Sequence, residues 1–121
     1  MITTQTILDT TTYGQAAGNY DGSSQDWSSP AVTAADYYHG RGSIQTLTFS
    51  VQNFEGIIYV EATLDDTADN AAWFTTYVYG DGSTVPLTDY HPAAIAGNFT
   101  WIRLRVEGFS GGVINSVTIT Y

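Results

Sequence analysis

Two stretches, Ile44-Gln45-Thr46-Leu47-Thr48-Phe49-Ser50-Val51 and Ile57-Ile58-Tyr59-Val60-Glu61-Ala62-Thr63-Leu64, decide the fold class. In the first, Leu47, Phe49 and Val51 alternate with Thr46, Thr48 and Ser50. In the second, Ile58, Val60, Ala62 and Leu64 alternate with Tyr59, Glu61 and Thr63. A period of two places all the aliphatic residues on one side of an extended chain, the mark of a half-buried antiparallel strand. Asn53-Phe54-Glu55-Gly56 lies between the stretches and carries turn residues, so the pair is predicted to be a β-hairpin.

The pattern recurs on the C-terminal side. Asp65-Asp66-Thr67-Ala68-Asp69-Asn70 is a polar loop, and Trp73–Tyr79 is a strand ended by Gly80-Asp81-Gly82-Ser83. Val85–Leu87 is a short strand. Thr88–Gly97 contains Pro92 and is expected to be a loop with a helical turn at Ala93-Ala94-Ile95. From Asn98 to Glu107, Thr100, Ile102, Leu104 and Val106 alternate with Trp101, Arg103 and Arg105. Gly108-Phe109-Ser110-Gly111-Gly112 turns the chain into a last strand, Val113–Tyr121, giving a second hairpin. No segment has a helical period.

The first 43 residues differ. Ile2–Thr12 reads as one strand, and Tyr13–Gly42 is rich in Gly, Ser, Asp, Ala and Tyr; it is either irregular throughout or hides a strand around Ala31–Ala35. An irregular stretch of this length is commonly functional. The expected architecture is all-β: a single antiparallel β-sandwich over residues 1–121, jelly-roll-like, with about seven or eight strands. Residues 1–43 form its loop-rich part and 44–121 its strand-rich core.

Composition narrows the function. The 121 residues are 43% hydrophobic, 14% aromatic and 12% charged, a balance that suits a packed domain. The net charge is −9; there is no lysine, and Arg41, Arg103 and Arg105 are the only strong cations. Nucleic acid and anionic membrane both require a basic footprint, so neither is an expected partner. Cysteine is absent. No signal peptide and no membrane-spanning run of about 20 apolar residues is expected.

Catalytic signatures are sparse. His39 and His91 both sit in turn-like contexts, and no Gly-x-Ser-x-Gly elbow exists. Of twelve acids nine are aspartates, mostly in turns; Glu61 and Glu107 lie opposite the aliphatic stripe, where pairing with Arg103 or Arg105 on a solvated sheet face is expected. Asp65, Asp66 and Asp69 are candidate calcium ligands, although their spacing departs from the EF-hand loop and an ordinary acidic loop explains them as well. No cofactor is expected.

The aromatics are the stronger signal. Phe49, Phe74 and Trp101 are expected in the core. Tyr20, Trp27, Tyr37, Tyr38 and Tyr90 lie in polar or Gly-rich contexts and are the interface candidates, because exposed Tyr and Trp bury much area at little entropic cost. The same rings could stack on a sugar.

Gly56–Leu64, followed by Ala72-Trp73-Phe74, Gly97–Val106 and Gly111-Gly112-Val113-Ile114, resembles small virion structural proteins of tailed bacteriophages, notably marine cyanobacterial phages. The resemblance covers residues 44–121. It implies a non-enzymatic β-sandwich virion protein without fixing capsid, neck or tail; the short chain favours a decoration protein over a tail fibre, so the expectation is a capsid decoration protein that binds the major capsid protein or another virion protein on the outer capsid surface after assembly in the host cytoplasm. A homo-oligomer, such as a trimer, would match a symmetric lattice. The alternatives are a tail or neck accessory protein, or a carbohydrate-binding adhesin of galactose-binding type. The loop-rich N-terminal region is the expected docking element. On that expectation, removal of residues 1–12 leaves a soluble fold that no longer attaches.

Overall fold

A computed structural model describes residues 4–34, 44–80, 87–97 and 99–121. Its strands are β1 (Thr4–Leu8), β2 (Thr11–Thr12), β3 (Trp27–Ser28), β4 (Val32–Thr33), β5 (Ile44–Thr63), β6 (Phe74–Tyr79), β7 (Leu87–Ala96) and β8 (Trp101–Thr120). The described residues contain no helix. All eight strands belong to one antiparallel sheet, as the period-two patterning predicts.

β5 and β8 are the frame. Each is 20 residues long, several times the usual strand, and they pair with each other from Thr46↔Thr120 to Thr63↔Trp101. The other strands line their outer edges. β7 pairs with the first part of β5, and β6 with Ile58–Ala62. β1 and β2 pair with the end of β8, while β3 and β4 pair with its beginning.

The two expected hairpins are instead two bends. Asn53-Phe54-Glu55-Gly56 and Gly108–Gly112 each lie inside a continuous strand, opposite one another. Register shifts between Gln52, Glu55 and Ile57 mark the extra residues. The buried set accordingly switches phase, from Leu47, Phe49 and Val51 to Phe54, Ile58, Val60 and Ala62. A turn and a bulge both reverse the alternation, so the sequence pattern alone does not distinguish them. Positive φ angles at Asn53 (52°), Gly108 (67°) and Gly112 (84°) form the bends.

Gly112 also allows the two bends to approach, because a Cβ there would collide with the backbone carbonyl of Asn53. A Cβ on Gly108 would meet nothing within 4 Å. Gly108→Ala should therefore lose only the left-handed backbone preference, about 1 kcal/mol. Gly112→Ala adds a backbone clash and should lose about 3 kcal/mol. Urea unfolding of the two variants measures the difference; equal losses would mean that the bends are not in contact.

Past the bends, side chains from the two halves of the one sheet come into contact. Phe49 of β5 stacks on Tyr79 of β6, with centroids 4.4 Å apart and planes within 2°. One side is closed by polar links between the edge strands β6 and β7: Tyr77 Oη and His91 Nε2 share a hydrogen bond (3.1 Å), and Tyr79 Oη donates to Asp89 Oδ2 (3.2 Å). Burial first, then the Asp89 carboxylate, raises the Tyr79 pKa, so this phenol remains a neutral donor. On the other side, Gln5 Nε2 of β1 donates to the Thr33 carbonyl of β4 (2.9 Å), and Tyr121 Oη donates to the same carbonyl (3.2 Å). The buried hydrophobic residues form one cluster.

Several expectations change. Thr88–Gly97 is mostly strand β7, with Ala93 and Ile95 turned inward. Pro92 is tolerated because β7 pairs only with β5, so its missing N–H falls on an edge. Ile2–Thr12 is divided into β1 and β2 around Asp9-Thr10, with residues before Thr4 outside the described set. Of the two readings of residues 13–42, a strand near Ala31–Ala35 is present as the two-residue β4, with Ala35 outside the described residues. Phe49 is fully buried, but Phe74 is 41% exposed on strand β6 and packs edge-on against Phe99. Trp101 is half-buried, out of phase with the buried Ile102 and Leu104, and so lies on the outer face of the sheet.

Candidate functional site

Two of the five interface candidates are core residues. Tyr20 is 1% exposed and Trp27 is 8% exposed. Both pack against Phe109 at the bend of β8, with centroids at 5.2 and 6.1 Å, and Tyr20 Oη accepts a hydrogen bond from Gly14 N. Their polar sequence context reflects the irregular chain that carries them: Phe109 N donates to the Gln25 carbonyl and Gly108 N to Asp26 Oδ1, which holds the loop against the bend. Trp27 Nε1 is buried and has no hydrogen-bond partner among the described residues. Tyr90, 75% exposed, is a surface residue as expected. Tyr37, Tyr38, His39 and Arg41 lie outside the described residues.

The acidic loop is tied up in its own closure. Asp65 Oδ2 accepts from Ala72 N (2.7 Å), and the Asp66 carbonyl accepts from Trp101 Nε1 (3.1 Å). Asp69 is exposed and accepts from Thr67 Oγ1 through its backbone carbonyl. Among the described residues no group of three or more His, Cys, Asp or Glu could hold a metal ion.

The concentration of side-chain chemistry lies elsewhere, on the outer face of the sheet half formed by β6, β5 and β8. The register sets Tyr59 opposite Arg105, Glu61 opposite Arg103 and Ile57 opposite Glu107. Glu61 is 8% exposed and accepts from both arginines, Nε of Arg103 at 2.8 Å and Nε of Arg105 at 3.1 Å. Arg105 Nη1 donates to Glu107 Oε2 at 2.6 Å. Each guanidinium also lies over a ring: Arg103 over Trp73 at 4.4 Å, Arg105 over Tyr59 at 4.1 Å. Desolvation opposes the Arg105 charge, but the bonds to Glu107 and Glu61 outweigh it, and its pKa is raised. Both arginines are permanently cationic and held by charge-assisted bonds.

The arrangement fixes donors and aromatic planes in one orientation. Among the described residues, Arg103 hydrogen-bonds to Glu61 through Nε, and its side chain is 30% exposed. The Glu–Arg pairing was legible from alternation. Tyr59 and Trp73 were missed as partners, because which strands adjoin, and at what register, is not written in the alternation of any one strand.

No protein-family model matches the chain, and no curated protein matches it.

Proposed function

We propose that the chain is a non-enzymatic virion structural protein that decorates the outer capsid of a tailed phage by binding its major capsid protein. The supporting observation is that the segment resembling phage virion proteins, residues 44–121, supplies the whole β5–β8 frame and both strands along the edges of β5. The acidic surface keeps free copies apart before assembly, and many copies on a lattice offset a weak single contact. A homo-oligomer, a trimer on a threefold position, fits that use.

Cryo-electron microscopy and protein mass spectrometry of virions from the encoding phage test the reading. The expected result is density for this all-β domain on the outer capsid. A location confined to the tail or neck replaces decoration with the accessory role. Absence from the particle overturns the virion reading altogether.

A further inference from the structure

We propose that the outer face built from Tyr59, Glu61, Trp73, Arg103, Arg105 and Glu107 is a binding site for a neutral saccharide. The argument is independent of where the protein resides.

Charge balance comes first. Two guanidinium groups meet two carboxylates, so the face is locally neutral within a chain of net charge −9. An anionic ligand would find both arginines already neutralised and would meet the field of the remaining acids. A cationic ligand would meet two guanidinium groups. A neutral ligand avoids both penalties.

The remaining chemistry is directional. The terminal amino groups of Arg103 are donors in a fixed plane, set by Glu61 beneath and Trp73 alongside. Glu107 is half-exposed and offers acceptor oxygens. Arg103 and Glu107 are four residues apart on β8, so one hydroxyl of a bound saccharide can accept from the first while another, further along it, donates to the second. Tyr59 and Trp73, both half-buried, supply aromatic surface for the C–H side of a pyranose ring. Along β8 the face runs from Arg103 to Glu107, a span of about 13 Å. That length suits an oligosaccharide better than a single ring. Because the arginines are already held in place, little side-chain ordering is left to oppose binding.

The test is a glycan array spanning neutral and acidic oligosaccharides, followed by calorimetric titration of the neutral hits. Four variants accompany the wild type: Trp73→Ala, Tyr59→Ala, Arg103→Lys and Tyr90→Ala. Saturable binding of neutral oligosaccharides is expected, weakened at least tenfold by the first three and unchanged by Tyr90→Ala, whose ring lies on β7. Circular dichroism checks each fold; if Trp73→Ala disrupts it, Arg103→Lys decides, since it keeps the charge and removes the planar fork. No glycan bound, acidic glycans alone bound, or undiminished affinity in the folded variants would each overturn the proposal.

Discussion

Deletion of residues 1–12 is expected to abolish cooperative folding, not merely attachment. β1 pairs with the end of β8 from Thr4↔Thr120 to Leu8↔Val117, and β2 continues along the same edge at Thr11↔Ile114. Ile7, Leu8 and Thr11 are buried, and their loss opens the flank of the fully buried Val117 and Ile119. Burying each aliphatic side chain contributes about 1.5–3 kcal/mol. The deletion also removes the bond from Gln5 to Thr33, which ties one half of the sheet to the other, and the bond from Gln5 to Tyr121 Oη. The deleted residues no longer need to be ordered, which returns part of the loss. The net effect is on the order of 5 kcal/mol, comparable with the whole stability of a small domain. It also leaves an uncovered sheet edge that favours aggregation. The measurement is a thermal melt with amide chemical-shift dispersion. A truncated chain that still melts cooperatively within about 5 °C of the full one would show these strands to be an appended arm.

The chain's strands were legible where alternation is long and one face is buried, as in Leu47–Val51, Ile58–Ala62 and Ile102–Val106. Their connectivity was not. Glycine and asparagine at Asn53, Gly56, Gly108 and Gly112 carry the positive φ angles that turns share with bulges, so local residue choice suggested hairpins. β7 was obscured by Pro92, which is acceptable only because that strand lies at an edge, a property of the sheet and not of the segment. The outer face was half legible. Phase put Glu61, Arg103, Arg105 and Glu107 together on the polar side, but the contacts of the guanidinium groups with Tyr59 and Trp73 follow from register and from the loop that delivers Trp73. The aromatics of polar segments were misjudged for one physical reason: a sharply bent sheet leaves space at its corner, and bulky rings from irregular chain fill it.

Phe109 tests that reason directly. It lies in Gly108-Phe109-Ser110-Gly111-Gly112, the least core-like composition in the chain, yet it is fully buried. Its ring meets four others: Tyr20 at 5.2 Å, Tyr13 at 5.6 Å, Phe54 at 5.8 Å and Trp27 at 6.1 Å between centroids. Phe54 comes from the bend of β5, while Tyr13, Tyr20 and Trp27 come from the N-terminal third, so Phe109 joins the two bends to the loop that covers them. Phe109→Ala removes the transfer energy of the ring, opens a cavity that four rigid neighbours cannot close, and breaks the edge-on contacts with Tyr13 and Tyr20. The expected loss is about 4 kcal/mol, or roughly 15 °C in Tm. Phe109→Leu, which keeps most of the volume, should lose about 1.5 kcal/mol. Chemical denaturation with tryptophan fluorescence follows both, because Trp27 is in contact with the mutated ring. A loss below about 1.5 kcal/mol for Phe109→Ala would mean that the corner is loosely packed. In that case Tyr20 and Trp27 would be free to leave the core and to serve as the exposed interface that their sequence context suggests.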